Sequence, residues 1–238
     1  MLVKTKAIVL SAIKYQEKSL IVKCLTREVG VQTFFVRNAF AKGKNAQKNA
    51  YFQPLMNLEV EFTFKNKGAM EYLKEIRVSH IYQDMYYDFS KNSIAIFVGE
   101  VLHHIVSEQE RDEHFFDFVE TALMWLDTHD ETQNFHLILL KELTKYFGFY
   151  PDDTFLDCFY FNWVEGVFCM EYDSRCFDAE ETIVFKRLLS LGFEDDQKVF
   201  TGRDRKLLLE LMMRYFEEHL SSFKKPKSLE ILKEVFSN

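Results

Sequence analysis

Between residues 58 and 64 the chain alternates strictly, with Leu58, Val60, Phe62 and Phe64 on one face and Glu59, Glu61 and Thr63 on the other. A period of two belongs to a strand with one buried face. Segments 3–12, 19–26, 31–37 and 70–78 are also rich in β-branched and aromatic residues. Glu28-Val29-Gly30 and Asn66-Lys67-Gly68 supply turns between neighbours. Five short strands with a longer connection between the third and fourth predict a small five-stranded OB-fold barrel, which removes exposed sheet edges. Phe34 and Phe35 are sequence neighbours, so at most one of them faces out of its strand.

After residue 80 the period changes. Ile94, Phe97, Val98, Val101, Leu102, Ile105 and Val106 follow helical spacing behind Asn92 or Ser93 as a cap. Similar stripes run through 115–126, 135–147, 183–191, 207–220 and 229–235, with Gly148 and Gly192 as stops and Ser228 as a cap. Residues 82–89 read either as a short helix or as the junction itself. A second change of period interrupts the helices: residues 159–164, the pair Glu165-Gly166, and residues 167–172 read as a β-hairpin. The expected class is α+β: an OB-fold domain at 1–80, then an all-helical domain at 81–238 carrying a small hairpin insert near 155–177.

Charge divides along the same line. Residues 1–80 hold 11 Lys and 3 Arg against 6 Glu, a balance of +8, so the chain's net −7 leaves −15 for the remainder. The average therefore hides a basic region that suits a phosphate backbone. The connection from Asn38 to Pro54 holds Lys42, Lys44 and Lys48, follows Arg37, and contains no acid. With Lys14 and Arg27 these form the candidate phosphate contacts, and Tyr15 and Phe40 the candidate surfaces for stacking unpaired bases. In the acidic region, Arg203, Arg205, Lys206 and Arg214 are the local concentration of Arg and Lys around the long helix after Thr201, a candidate site for an acidic protein tail.

Catalytic chemistry finds no motif: there is no phosphate-cradling glycine loop, no G-x-S-x-G and no H-E-x-x-H. Glu100-Val101-Leu102-His103 is a single Glu-x-x-His without the second copy that a di-iron bundle needs. Cys158, Cys169 and Cys176 lie 11 and 7 positions apart, unlike the paired spacing of zinc ligands, so no metal and no cofactor are expected. Four scattered cysteines and no leader-like or membrane-spanning segment lead to the expectation of a cytoplasmic, nucleoid-associated protein.

The order and spacing of several short stretches resemble the RecO family of bacterial recombination mediators. They are Lys4-Thr5-Lys6-Ala7-Ile8-Val9-Leu10, Tyr15 with Glu17, Thr26 with Glu28 and Gly30, the basic turn from Arg37 to Lys44, and Gln53-Pro54-Leu55. Further on come Phe147-Gly148-Phe149-Tyr150-Pro151-Asp152 and the run from His219-Leu220 to Ile231-Leu232. The resemblance implies an OB-fold followed by a helical domain. It also implies a non-enzymatic protein that binds single- and double-stranded DNA, anneals complementary strands, and loads recombinase with RecR and single-strand DNA-binding protein. Many relatives carry a four-cysteine zinc module. Here Phe161 stands where the partner of Cys158 would be, so a zinc-free variant is expected, packed by Phe159, Phe161, Trp163 and Phe168. The rival reading is an interaction scaffold whose barrel binds an acidic protein segment.

Overall fold

The computed structural model describes residues 1–40, 50–65, 70–106, 111–195 and 197–236. The chain forms two compact units, Met1–Thr128 and His129–Asn238. The first is larger than the barrel, because the first two helices belong to it.

Five antiparallel strands build the first unit: β1 Leu2–Tyr15, β2 Ser19–Thr26, β3 Gly30–Val36, β4 Asn57–Thr63 and β5 Leu73–Val78, in the order β3-β2-β1-β4-β5. β1 serves two partners, pairing Leu2–Ile8 with β4 and Ala7–Tyr15 with β2. A register shift between Val9 and Ser11, and another between Glu61 and Phe62 on β4, let the strands bend as a curled sheet requires. The alternation then buries Leu58, Val60 and Phe62 against Ala7, Val9, Val22 and Phe34. Phe34 points in and Phe35 is only half-buried, as their adjacency demands.

The expected closed barrel needs one correction. The edges β3 and β5 share no continuous ladder; they meet at a single parallel bridge between Phe34 and Glu71. There the Phe35 N–H donates to the Glu71 carbonyl (2.8 Å) and the Glu71 N–H to that of Thr33 (2.9 Å). The sheet is tacked rather than zipped, which leaves the residues beside the bridge accessible. The turn expected at Asn66-Lys67-Gly68 lies outside the described residues.

Helix α1 (Phe89–Ile105) starts a turn earlier than its apolar stripe, capped by Asp88, whose side chain accepts from the Lys91 N–H at 2.8 Å. The caps expected at Asn92 or Ser93 are thus inside the helix, and residues 82–88 form the junction. Helix α2 (Glu113–Thr128) completes the unit. Near its end, Asp127 accepts the backbone N–H groups of Gln83, Asp84 and Met85 at 3.0, 2.9 and 2.8 Å, pinning the junction.

The second unit holds α3 (Phe135–Tyr146), α4 (Ala179–Ser190), α5 (Gly202–His219) and α6 (Leu229–Val235). Gly148 ends α3 with φ of 75°, a conformation that suits glycine, whereas Gly192 keeps an ordinary φ. The expected hairpin is a three-stranded sheet, β6 Tyr160–Asn162, β7 Val167–Cys169 and β8 Cys176–Phe177, in the order β7-β6-β8. Phe161 and Phe168 face the core with Phe177, Phe185 and Tyr215. Phe159 does not pack as expected: it is 61% exposed. No helix of the described residues is long and apolar enough to cross a membrane.

Candidate nucleic-acid interface

Among the described residues, the cations singled out in the barrel fall into two groups at opposite ends of β2, whose eight residues span about 25 Å. Arg27 sits just past its far end and is already occupied. Its Nε and Nη2 donate to the two carboxylate oxygens of Asp117 (2.7 and 2.9 Å), and Nη1 lies 2.8 Å from Glu113. Lys6 meets Glu120 at 2.8 Å, where the Asn57 amide also donates (2.8 Å). Glu113, Asp117 and Glu120 stand at i, i+4 and i+7 of α2, one helix face, so α2 docks on the barrel through carboxylates. The Arg27 guanidinium holds the Asp117 carboxyl below the usual range, and the pair stays ionised near neutrality. Arg27, expected as a phosphate contact, is thus ion-paired to α2.

The other end is different. Tyr15 at the end of β1, Phe35 on β3 and Tyr72 before β5 form an edge-to-face row, with ring centroids 5.7 and 5.9 Å apart. Both tyrosines are almost half exposed, at 44% and 47%. The Arg37 guanidinium lies 5.0 Å over the Tyr72 ring, and Lys14 lies 5.6 Å from the ring of Phe40. Beside the row is a cleft of about 210 Å³ lined by Phe35, Arg37, Tyr51, Tyr72 and Lys74. Among the described residues, Lys14, Arg37 and Lys74 make no ion pair with a carboxylate. Lys42, Lys44 and Lys48 lie outside the described residues.

Two of these side chains escaped the sequence: Tyr72 just before β5 and Lys74 at its start, which the bridge at Glu71 brings beside β3. A Tyr-x-Lys at the start of a strand that must close a barrel was the available signal.

A larger cavity, about 570 Å³, lies between residues 50–56, the junction and α1, lined among others by Tyr51, Met56, Ile81, Tyr86 and Ile96. Among the described residues, no cation lines it.

In the second unit the expected group of four cations is dispersed. Arg205 is buried, and its Nη1 donates to the Phe200 carbonyl at 2.7 Å. Arg214 lies over the Trp163 ring at 5.6 Å, leaving Arg203 and Lys206 exposed at the start of α5. The Sγ atoms of Cys169 and Cys176 are 3.6 Å apart, and burial pushes the Cys169 thiol up to about 11. Phe161 is wholly buried among rings, so the donors present do not fit a four-cysteine zinc site. Among the described residues, no group of three or more His, Cys, Asp or Glu is placed to hold a metal, Glu100 and His103 included.

Family models agree with this architecture. The model of the Recombination protein O N terminal matches residues 1–82, and that of the C terminal matches residues 86–230. The chain belongs to the RecO family. Similar RecO proteins, each described as a DNA repair protein, extend over its whole length. That of Flavobacterium johnsoniae is 50% identical over 237 residues and that of Flavobacterium psychrophilum 50% over 238, covering 100% of both chains in each case. The RecO protein of Christiangramia forsetii is 35% identical over 239 residues, 99% of this chain and 100% of its own. The N-terminal family domain is the OB-fold, in which the aromatic row joins Tyr15 of β1, Phe35 of β3 and Tyr72 just before β5.

Proposed function

We propose that the chain acts in DNA repair as a non-enzymatic mediator. In this reading its barrel binds DNA along Tyr15, Phe35 and Tyr72, with Lys14, Arg37 and Lys74 meeting the phosphates. The supporting observation is that exposed rings and carboxylate-free cations share one end of the barrel, while α2 neutralises Arg27 and Lys6 elsewhere. Stacking tolerates any base but needs it unpaired, so the row favours single strands. In the sequence, Phe40, Lys42, Lys44 and Lys48 follow Arg37 within eleven positions.

Holding strands by their backbones with bases splayed on rings is also what annealing needs, since the base edges stay free to pair. Loading of recombinase, in the cytoplasm at the nucleoid, with RecR and single-strand DNA-binding protein, completes the proposal. Arg203 and Lys206 are exposed cations at the start of α5 that suit an acidic tail.

The test is salt-titrated anisotropy of a labelled single-stranded oligonucleotide. Tyr15→Ala with Tyr72→Ala should weaken binding by roughly 30-fold or more, at ~1–3 kcal/mol per stacked base. Arg37→Glu should also lower the slope of log affinity against log salt by about 1. Affinity unchanged in both variants would refute the site. No affinity of the wild-type chain for naked oligonucleotide would return the reading to a scaffold for acidic protein segments.

A further inference from the structure

The three-stranded sheet of the second unit carries a surface that DNA binding leaves without a task. On its inner side Phe161, Phe168 and Phe177 fill the core. Beyond the end of the β6–β7 ladder, and on the segment leading into it, large apolar side chains face outward. Phe155, Phe159, Met170 and Tyr172 are 58 to 62% exposed, each far more open than a packed residue. Contiguity follows from the register: Tyr160 pairs with Cys169, which sets Phe159 and Met170 side by side just past the ladder. Tyr160 then links Phe159 (6.5 Å between centroids) to Tyr172 (5.3 Å). Single exposed apolar residues are ordinary on a protein surface, but a joined aromatic and methionine patch is the composition of an interface core.

Charge decides what suits that patch. Residues 152–175 contain six carboxylates, Asp152, Asp153, Asp157, Glu165, Glu171 and Asp173, against one cation, Arg175. Arg175 is already bound by Asp173 (2.7 Å) and Glu165 (3.3 Å). Among the described residues, Asp153, Asp157 and Glu171 have no cation within ion-pair distance. Unpaired carboxylates beside an apolar patch repel phosphates and acidic tails and attract Lys or Arg.

We propose that this rim is a docking surface for a protein segment in which Lys or Arg residues flank apolar side chains. Phe159, Met170 and Tyr172 receive the apolar groups, and Asp153, Asp157 and Glu171 pair with the cations. This surface is separate from the barrel's aromatic row and opposite to it in charge, so one chain holds DNA and a basic partner by different chemistry.

The test uses the full chain and two fluorescein-labelled dodecapeptides, one of alternating lysine and leucine, the other with glutamate for lysine. The lysine peptide should bind. Its affinity should fall about tenfold or more in Phe159→Ser with Met170→Ser and Tyr172→Ser, and again in Asp153→Lys with Asp157→Lys. All five positions are exposed, so both variants should fold, and unchanged oligonucleotide affinity in the same samples checks this. The proposal is overturned by equal lysine-peptide binding to wild type and both variants, or by equal binding of the glutamate peptide. Sedimentation showing that the serine substitutions abolish a homodimer would overturn it too, by making the rim a contact between copies.

Discussion

Acidification from pH 6.5 to pH 4 is expected to cost the second unit about 3 kcal/mol through one side chain, His136. His136 lies on α3, 1% exposed, with its ring stacked on Phe236 at 5.2 Å. Burial, aided by the nearby Arg205 guanidinium, pushes its pKa from 6.5 down to about 3. In the unfolded chain the imidazole takes up a proton below pH 6.5, while in the folded chain it stays neutral until about pH 3. Protons therefore favour the unfolded state throughout that window: the contribution is complete above pH 6.5 and lost progressively as pH falls toward 3, at about 1.4 kcal/mol per unit. Urea midpoints of the full chain measured between pH 7 and 4 should decline for wild type and be much flatter for His136→Gln. An identical decline in both would show that His136 is not the titrating group. His103 on α1, also held below its ordinary range by burial, acts in the same sense within the first unit.

Asp127→Ala should destabilise the first unit by about 3 kcal/mol, because it strands three donors at once. The carboxylate is 3% exposed and accepts the N–H groups of residues 83, 84 and 85, while its backbone carbonyl accepts from the buried Lys91 ammonium at 2.8 Å. Burial alone would raise its pKa; the three N–H donors outweigh burial and hold it below the usual carboxylate value. Its contribution is therefore present above about pH 4, the unfolded value, and lost only as pH falls through the lower folded one. That window lies below the one in which His136 acts first, so the two effects separate. Amide exchange at residues 83–85 should accelerate strongly in Asp127→Ala while the β1–β2 ladder keeps its protection. Unchanged exchange at those three amides would count against the anchor.

Legibility followed the range of the interaction. The five strands were readable because burial on one face imposes a period of two that neighbours in sequence display directly, as Leu58, Val60 and Phe62 do. The start of α1 was misplaced because its cap, Asp88, precedes an exposed Phe89, so polarity and helix begin at different residues. β8 was missed because two residues carry no period. Arg27 and Arg37 looked alike in the sequence, each a cation at the end of a strand. They differ because Asp117, 90 positions later, reaches one and no described carboxylate reaches the other.

Five strands, the helical remainder, the basic and acidic regions and the resemblance to the family were all legible from the amino-acid order alone. Each of these depends on local periodicity or on a linear sum of residues. Tertiary packing set the rest: which described charges remain available, whether the sheet closes, and that Tyr72 and Lys74 stand beside Phe35. Those depend on which side chains meet across the fold, and a carboxylate cancels a cation according to its distance in space, not its separation along the chain.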